Sequence, residues 1–274
     1  MTILSAFMFL GLGIFGGFMA GLLGVGGGMI LVPFISMILA WQKVIPAELA
    51  VHAAVATSMS MIMFTSLSSM RAHHKQGAVR WPIVLKLVPG ILFGGLLAGG
   101  FLFSVINMAW LALIFACFVG YSAYSMLRNK KPKPTRELPG WPGMLAAGTG
   151  IGTISGLVGA GGGFLSVPFM VWSNVPIRNA VATSAALGFP IAVANSIGYI
   201  SSGIKEVGIQ GGMLGYIYWP GLLLLISMSM MFAPIGAKYA HTLPVDKLKR
   251  IFALLLFSIS GYMFYKALLA FGYL

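Results

Sequence analysis

Apolar residues dominate the chain in ten runs, separated by short polar stretches or by glycine-rich breaks. Most runs contain roughly 17 to 25 residues, which matches a hydrocarbon core of about 30 Å at about 1.5 Å per helical residue. Lipid offers no partner to backbone polar groups, so the runs are predicted to be helices. The predicted segments cover residues 3–23, 29–41, 48–70, 81–103, 107–127, 142–158, 164–172, 180–200, 213–237 and 251–271.

A glycine-rich sequence occurs twice, as GLLGVGGGMILVPF at 21–34 and as GLVGAGGGFLSVPF at 156–169, with nine of fourteen positions identical. A second shared run, AVATS, follows in each copy at 54–58 and 180–184. Such internal similarity indicates a duplicated unit. The chain is therefore divided into a first transmembrane repeat at 1–127, a basic linker at 128–140 and a second repeat at 141–274.

Segment 164–172 is too short to cross a membrane. As a helix it would extend about 13 Å, less than half of the hydrocarbon core. We expect it to form a re-entrant hairpin with 142–158, with the turn at 159–163 near the middle of the membrane. Each half then contains about four to five helical segments, including this glycine-rich broken helix or re-entrant hairpin.

The composition supports the same fold class, because 59% of the residues are hydrophobic and 8% are charged. This excludes a soluble globular core and predicts an all-α, polytopic membrane protein in a lipid bilayer. The one cysteine, Cys117, lies inside an apolar run, so neither a disulfide framework nor a thiolate metal site is predicted. No nucleic-acid partner, cofactor or metal is predicted, and the pattern is compatible with an oligomer.

Lysine and arginine concentrate in three loops, at 71–80, 128–136 and 238–250. Basic loops stay on the cytoplasmic side of a bacterial inner membrane. The loops at equivalent positions in the other copy, 202–212 and 104–106, carry no net charge. Each equivalent loop is thus basic in one copy only, which predicts two inverted-topology repeats of the kind found in secondary transporters, with both termini on the non-cytoplasmic side.

The glycine runs have two interpretations. Close helix packing uses glycine. Glycine also adopts positive φ, so a run can interrupt a helix, leave backbone N–H groups free and expose the positive end of the next helix to an anion. We favour the second interpretation, with a substrate site at the two breaks. The predicted contacts are Gly24, Gly26, Gly27, Gly28, Gly159, Gly161, Gly162 and Gly163.

Hydroxyl groups follow the breaks in both copies, at Thr57 and Ser58 and at Thr183 and Ser184. Hydroxyls in membrane helices commonly bond to their own backbone or to another helix. Their repetition also fits donors for an oxyanion, and Asn195 extends this predicted polar lining in the second copy.

The acidic residues are Glu48, Glu137, Glu206 and Asp246, all at segment ends or in loops. A buried carboxylate, the usual coupling group for protons or sodium, is therefore missing from the pattern. His52 and Lys86 lie about one turn inside their segments and are candidates for coupling or for contacting an anion. A structural role for His52 and snorkelling of Lys86 to the interface are the alternatives.

The doubled glycine motif and the Ala-Thr-Ser sequences that follow it resemble the TauE/SafE family of sulfite and organosulfonate exporters. The resemblance covers nearly the whole chain. It implies a bacterial inner-membrane transporter with about eight transmembrane helices that moves small sulfur-containing anions such as sulfite or sulfoacetate. From the paired breaks we expect alternating access, and the basic cytoplasmic loops suit export. The motif does not specify which anion is carried.

Other functions are weighed against this one. An intramembrane enzyme would need a nucleophile with a base, or a metal constellation, and the apolar runs offer neither, so no catalytic residue is predicted. A passive anion channel or facilitator would use the same glycines and hydroxyls. A cation-coupled carrier of another small organic anion is a further alternative, since unwound carbonyl groups bind sodium.

Overall fold

The computed structural model describes residues 2–23, 27–128, 136–239 and 245–273. Within these ranges the chain is almost entirely helical. The helices are α1 (Ile3–Leu23), α2 (Gly28–Trp41), α3 (Ala50–Lys75), α4 (Trp81–Leu97), α5 (Phe103–Val105), α6 (Met108–Arg128), α7 (Trp141–Val158), α8 (Gly163–Trp172), α9 (Ile177–Glu206), α10 (Trp219–Tyr239) and α11 (Val245–Phe271). A 3-10 turn (Ala47–Leu49) precedes α3, a π-helical turn (Ala98–Leu102) joins α4 to α5, and strands β1 (Met213–Leu214) and β2 (Ile217–Tyr218) form a hairpin before α10.

The predicted all-α membrane fold is confirmed at this level. In the described part of the chain, seven helical spans are long and apolar enough to cross a membrane. They are Ile3–Gly21, Ala47–Lys75, Trp81–Val105, Met108–Arg128, Ile177–Glu206, Trp219–Gly236 and Arg250–Phe271. Helices α2 and α8 are apolar but shorter, with 14 and 10 residues. At about 1.5 Å per residue, α8 covers only about half of a hydrocarbon core.

The predicted segment 213–237 is wrong at its start. Its first six residues form the β-hairpin, in which Met213 pairs with Tyr218, and α10 begins at Trp219. Gly211, Gly212 and Gly215 all have positive φ. This left-handed backbone ends a helix and permits a tight reversal, so local glycine geometry overrides the apolar pattern here.

Equivalent helices of the two halves pack against the opposite half. Helix α1 packs against α10 of the other half, and α4 packs in the same way against α7. Glycines make both contacts close. On α4, a Cβ on Gly90 would overlap the Leu145 carbonyl oxygen of α7. On α1, a Cβ on Gly13 would lie 2.9 Å from the Leu225 carbonyl oxygen of α10, and one on Gly17 would lie 2.5 Å from the Ser229 Cα. Residue numbers rise together along this pair, so α1 and α10 run parallel.

Equivalent helices of the two halves run antiparallel where they meet. Helix α3 packs on α9, with the Ser60 and Ser196 hydroxyls 3.0 Å apart and the Asn179 side chain donating to the Ala78 carbonyl at 2.8 Å. Helix α6 packs on α11, where Trp110 contacts Phe271 and Ser260 donates to the Ala116 carbonyl at 2.8 Å. Along each pair, residue numbers rise in one helix as they fall in the other.

The ends of the bundle differ in charge. The end containing the 71–80 loop also receives the start of the second half, where the Arg136 N–H donates to the Trp172 carbonyl at 3.2 Å. We call this the basic end. The other end, called the distal end, contains the β-hairpin, the start of α1 and the end of α11, since Phe9 lies 5.8 Å from Tyr218 and Trp110 lies 5.2 Å from Phe271 between ring centroids.

Replacing Gly17 by alanine is expected to destabilise the fold. The added Cβ would overlap the α10 backbone at Ser229, and overpacking of this kind costs about 1–3 kcal/mol. Gly11→Ala on the same helix is the matched control, because a Cβ there would meet nothing within 4 Å. Thermal unfolding in detergent should show a lower Tm for Gly17→Ala only; equal Tm values would contradict the close contact.

Candidate functional site

Both glycine-rich segments interrupt the helical chain. Gly159 (φ 65°) caps the end of α7, and Gly162 (φ 77°) precedes the first residue of α8. In the first half, Gly27 (φ 63°) precedes α2. The predicted contacts Gly24 and Gly26 lie outside the described residues. The prediction that these glycines adopt positive φ is confirmed for the three that are named here.

The two breaks meet at Ser58, in the interior of α3. A Cβ added to Gly28 would lie 3.1 Å from the Ser58 carbonyl oxygen, and one added to Gly159 would lie 3.0 Å from the Ser58 hydroxyl oxygen. The Ser58 hydroxyl donates its proton to the Val55 carbonyl at 3.2 Å. Its oxygen therefore remains an acceptor beside the segment at Gly159. Tertiary packing therefore brings two segments together that are far apart in sequence.

The second break leaves a short row of backbone N–H groups without hydrogen-bond partners. The N–H groups of Gly159 and Ala160 donate to the Ser155 carbonyl, and those of Leu165 and Ser166 donate to the Gly162 carbonyl. Within the described residues, the N–H groups of Gly161, Gly162 and Gly163 have no hydrogen-bond partner. These three donors lie at the start of α8, where the helix dipole is positive, so they favour an anion.

An unpaired hydroxyl lies beside these donors. Ser155 is completely buried on the last turn of α7, and its hydroxyl has no hydrogen-bond partner among the described residues. It lies 3.6 Å from the place where a Cβ on Gly162 would be. Since buried hydroxyls are almost always hydrogen-bonded, an unpaired one that faces free N–H groups suggests that a ligand completes the site.

The amide of Asn195 lies just before the break. Its nitrogen donates to the Ile191 carbonyl at 2.8 Å, while the buried side-chain oxygen has no partner among the described residues. The amide packs against Gly156 on α7 and Gly95 on α4. Asn195 thus adjoins the second break through the preceding helical turn, at Gly156.

Serine hydroxyls of the second half form a pair next to the break. The Ser166 hydroxyl donates to that of Ser184 at 2.8 Å, and both side chains are buried. The sequence prediction included Ser184 but missed Ser166 and Ser155. Aligning the two repeats gives a signal for both, because Ala20 and Leu31 occupy the equivalent positions in the first copy. The second break is therefore the more polar of the two.

The two predicted threonines bind backbone groups of the opposite half. Thr57 accepts a hydrogen bond from the Tyr218 N–H at 3.0 Å, and Thr183 accepts one from the Arg80 N–H at 3.0 Å. Each donor immediately precedes the fourth helix of its half, α10 or α4. The two threonine hydroxyls thus form equivalent hydrogen bonds between the halves.

Charged side chains lie away from the breaks. Lys86 is exposed on α4, one turn past Trp81, and His52 lies at the distal end. A lysine that the sequence prediction missed, Lys266, is half-buried on α11 and donates to the Ser36 hydroxyl of α2 at 3.5 Å. No group of three His, Cys, Asp or Glu side chains suited to a metal occurs in the described ranges.

A cavity of about 420 Å³ opens at the basic end. It lies between the start of α4 and the loop that joins α8 to α9, and its lining includes Arg80, Glu137, Ser173 and Asn174. The Arg80 N–H reaches inward to Thr183, next to Ser184. Arg80 thus lines the cavity and also contacts the helix that carries Ser184.

Long apolar helices around a buried polar centre with broken helices are features of multi-pass membrane transporters. The chain belongs to the sulfite exporter TauE/SafE family, whose model matches residues 9–263. This confirms the family indicated by the repeated glycine motif. No solved structure matches the chain at a significant level.

Relatives with similar sequences are named as transporters. The chain is 34% identical over 255 residues to a "Probable membrane transporter protein" of Haemophilus influenzae, covering 93% of this chain and 96% of the relative. It is 26% identical to the "Probable membrane transporter protein YdhB" of Bacillus subtilis, covering 85% and 89%. It is 24% identical to the "Probable membrane transporter protein MJ0441" of Methanocaldococcus jannaschii, covering 80% and 78%.

Replacing Thr57 by valine should destabilise the bundle, because the buried N–H of Tyr218 would lose its acceptor. An unsatisfied buried donor costs about 1–3 kcal/mol. Thr57→Ser keeps the hydroxyl and should retain most of the stability. Comparing the Tm of both variants in detergent tests the contact, and equal losses in the two would contradict the role of the hydroxyl.

Proposed function

We propose that this protein is a secondary transporter that carries small sulfur-containing anions, such as sulfite or sulfoacetate, across the membrane. The observation that carries the proposal is the meeting of the two glycine breaks at Ser58, with three unpaired N–H groups and the unpaired Ser155 hydroxyl beside it. Membership of the sulfite exporter family supports the choice of cargo.

The chemistry of the centre suits an oxyanion. Sulfite and sulfonate oxygens accept hydrogen bonds, while the N–H groups at Gly161, Gly162 and Gly163 and the Ser155 hydroxyl can donate them. Hydrogen bonds to a charged group are worth about 1.5–3 kcal/mol each, more than bonds to a neutral one. The dipole of α8 adds attraction for negative charge without placing a charged side chain in the bilayer.

The arrangement of the halves suits alternating access. We infer inverted repeats, because α3 and α6 each meet their counterparts, α9 and α11, in antiparallel orientation. The α1–α2 hairpin enters from the distal end, and the α7–α8 hairpin enters from the basic end. Residues 159–163 are buried, so an anion reaches them only when the halves move relative to each other.

The charge distribution suggests the orientation in the cell. We propose that the basic end faces the cytoplasm of a bacterial inner membrane and that both termini lie on the other side. The net charge of +13 would concentrate cytoplasmic anions near the basic cavity, which suits export. This attraction is expected to weaken as the salt concentration rises.

Ligand binding tests the cargo. Purified protein should be stabilised against heat by one or more of sulfite, thiosulfate, sulfoacetate and taurine, and less by simple carboxylates or by sodium. Flux of the selected anion into proteoliposomes should saturate, since a carrier has a limited number of sites. Stabilisation by none of the sulfur compounds would contradict the proposed cargo, and single-channel conductance steps would indicate a channel instead.

Removing the Ser155 hydroxyl should weaken anion binding by about tenfold to a hundredfold, the equivalent of one hydrogen bond to a charged group. Ser258→Ala is the matched control, because that serine is exposed on α11 and donates only to its own helix. Binding is measured by titration calorimetry on both variants. Equal affinities for the two would place the anion elsewhere.

Replacing Gly162 or Gly27 by valine should abolish binding. Both positions require positive φ, and a Cβ on Gly162 would also strike Ile191. Gly150→Val on α7 is the control, since nothing lies within 4 Å of its Cβ position. Folding is checked by gel filtration and circular dichroism, and a folded Gly162→Val protein with unchanged affinity would count against the site.

A further inference from the structure

A histidine is enclosed by aromatic rings at the distal end. His52, on the first turn of α3, is 3% exposed. Its ring stacks on that of Tyr216 with centroids 5.6 Å apart, and it meets the edge of Phe103 at 4.9 Å. Three separate parts of the chain, α3, the turn after α4 and the β-hairpin, are joined through this one imidazole.

The hydrogen bonds of His52 define its neutral form. Nε2 lies 2.9 Å from the Ile106 carbonyl oxygen, which can only accept, so Nε2 carries the proton of the neutral ring. Nδ1 then carries a lone pair, and this atom is buried with no hydrogen-bond partner among the described residues. A buried acceptor without a partner is unusual, and proton binding at Nδ1 would change it into a donor with a positive charge.

A carboxylate binds the hydroxyl group of the stacked tyrosine. The Tyr216 hydroxyl donates to the Glu206 carboxylate, and Glu206 is exposed at the end of α9. Burial, together with this carboxylate, raises the pKa of the Tyr216 hydroxyl, so that the tyrosine remains a donor. Tyr216 thus contacts both the imidazole, through its ring, and the Glu206 carboxylate, through its hydroxyl.

The surroundings of His52 contain few other titratable groups. Helix α9 contributes Tyr199, Lys205 and Glu206, and the β-hairpin contributes Tyr216 and Tyr218. Glu48, on the 3-10 turn before α3, is exposed, and the 98–108 segment has no titratable side chain. Glu206 is thus the carboxylate that Tyr216 holds toward the imidazole.

Ring contacts connect this cluster to the second glycine break. Phe103, which touches His52, also lies 4.5 Å from Tyr199 between ring centroids. The Tyr199 hydroxyl donates to the Gly156 carbonyl, on the final turn of α7 just before the break. Displacement of His52 or Phe103 would therefore shift the turn that holds the free N–H groups.

We propose that His52, with Tyr216 and Glu206, forms a proton-binding site at the distal end, and that a proton bound there accompanies the anion held at the second break. The proton adds to the lone pair of Nδ1, and the imidazolium formed is attracted to Glu206. This pairing stabilises the closed distal end, and proton release loosens it. The inference rests on the proposed function, because it supplies a coupling ion for that transport.

Transport in proteoliposomes tests the coupling. Sulfoacetate is the probe, because its sulfonate and carboxylate stay ionised between about pH 5.5 and 8, the range in which imidazole titrates. Wild-type flux should fall by about fivefold or more across this range, and a pH dye inside the vesicles should report proton movement with the anion. His52→Gln can still donate to the Ile106 carbonyl but cannot bind the proton.

The expected result for His52→Gln is a flux that varies by less than about twofold with pH and that moves no protons, with sulfoacetate affinity retained. His74→Gln is the matched control, because His74 lies at the basic end and accepts from the Trp81 indole. It should behave like the wild type. A wild-type pH profile and proton movement in His52→Gln would overturn the proposal.

Removing the carboxylate separates an electrostatic role from a structural one. Glu206→Gln keeps an acceptor for the Tyr216 hydroxyl but removes the charge that favours imidazolium, so the midpoint of the flux profile should move to lower pH. Tyr216→Phe keeps the stacked ring and should give a smaller shift in the same direction. An unchanged midpoint in Glu206→Gln would show that the carboxylate has no part in the site.

A direct titration distinguishes failure of this proposal from failure of the proposed cargo. In protein with 15N-labelled histidine in lipid nanodiscs, one NMR signal should be missing from His52→Gln and should titrate between about pH 5.5 and 8. If no sulfur anion binds but this signal titrates, the cargo is wrong and the proton site stands. If sulfoacetate is carried and the signal does not titrate, the proton site is wrong.

Discussion

The fold depends on how backbone N–H and C=O groups are satisfied where no water is available. Helices satisfy nearly all of them internally, and the exceptions are costly unless another partner is present. The breaks at Gly27 and at Gly159 to Gly162 are such exceptions, and both lie in the interior of the bundle. The surrounding residues can be understood as providing partners for these groups, or as leaving donors free for a ligand.

Close packing between the halves makes these breaks tolerable. Glycines on α1 and α4 let each helix approach the backbone of its neighbour, and Thr57 and Thr183 bind the N–H groups that precede α10 and α4. These contacts are reciprocal between the halves. Each half thus supplies a hydroxyl acceptor for a backbone N–H group of the other half.

The polar centre and the distal cluster differ in the chemical groups that they contain. The second break offers N–H and hydroxyl donors without a formal charge, which avoids the cost of burying a charged side chain. At the distal end an enclosed imidazole, His52, lies close to an exposed carboxylate, Glu206. Tyr199 and Phe103 connect the two regions by direct contact.

Much of this architecture was predictable from the chain alone. Helix positions follow from the length of the apolar runs, and the breaks at 24–28 and 159–163 follow from consecutive glycines, because only glycine adopts positive φ easily. The same rule, applied to Gly211, Gly212 and Gly215, would have predicted the β-hairpin that the apolar pattern concealed. The polarity of Ser155 and Ser166 against Ala20 and Leu31 was visible as well.

The sequence by itself determined the membrane fold, the duplication, the family and the two breaks, because apolar length and glycine conformation are local properties. The tertiary structure alone decided that both breaks meet at Ser58, that Thr57 and Thr183 bind backbone groups, and that Glu206 lies near His52. Apart from Gly28 with Ser58 and Tyr216 with Glu206, these contacts join residues separated by a hundred positions or more, and no local period encodes such pairings. They depend on which helix faces approach each other, which packing across the whole bundle determines.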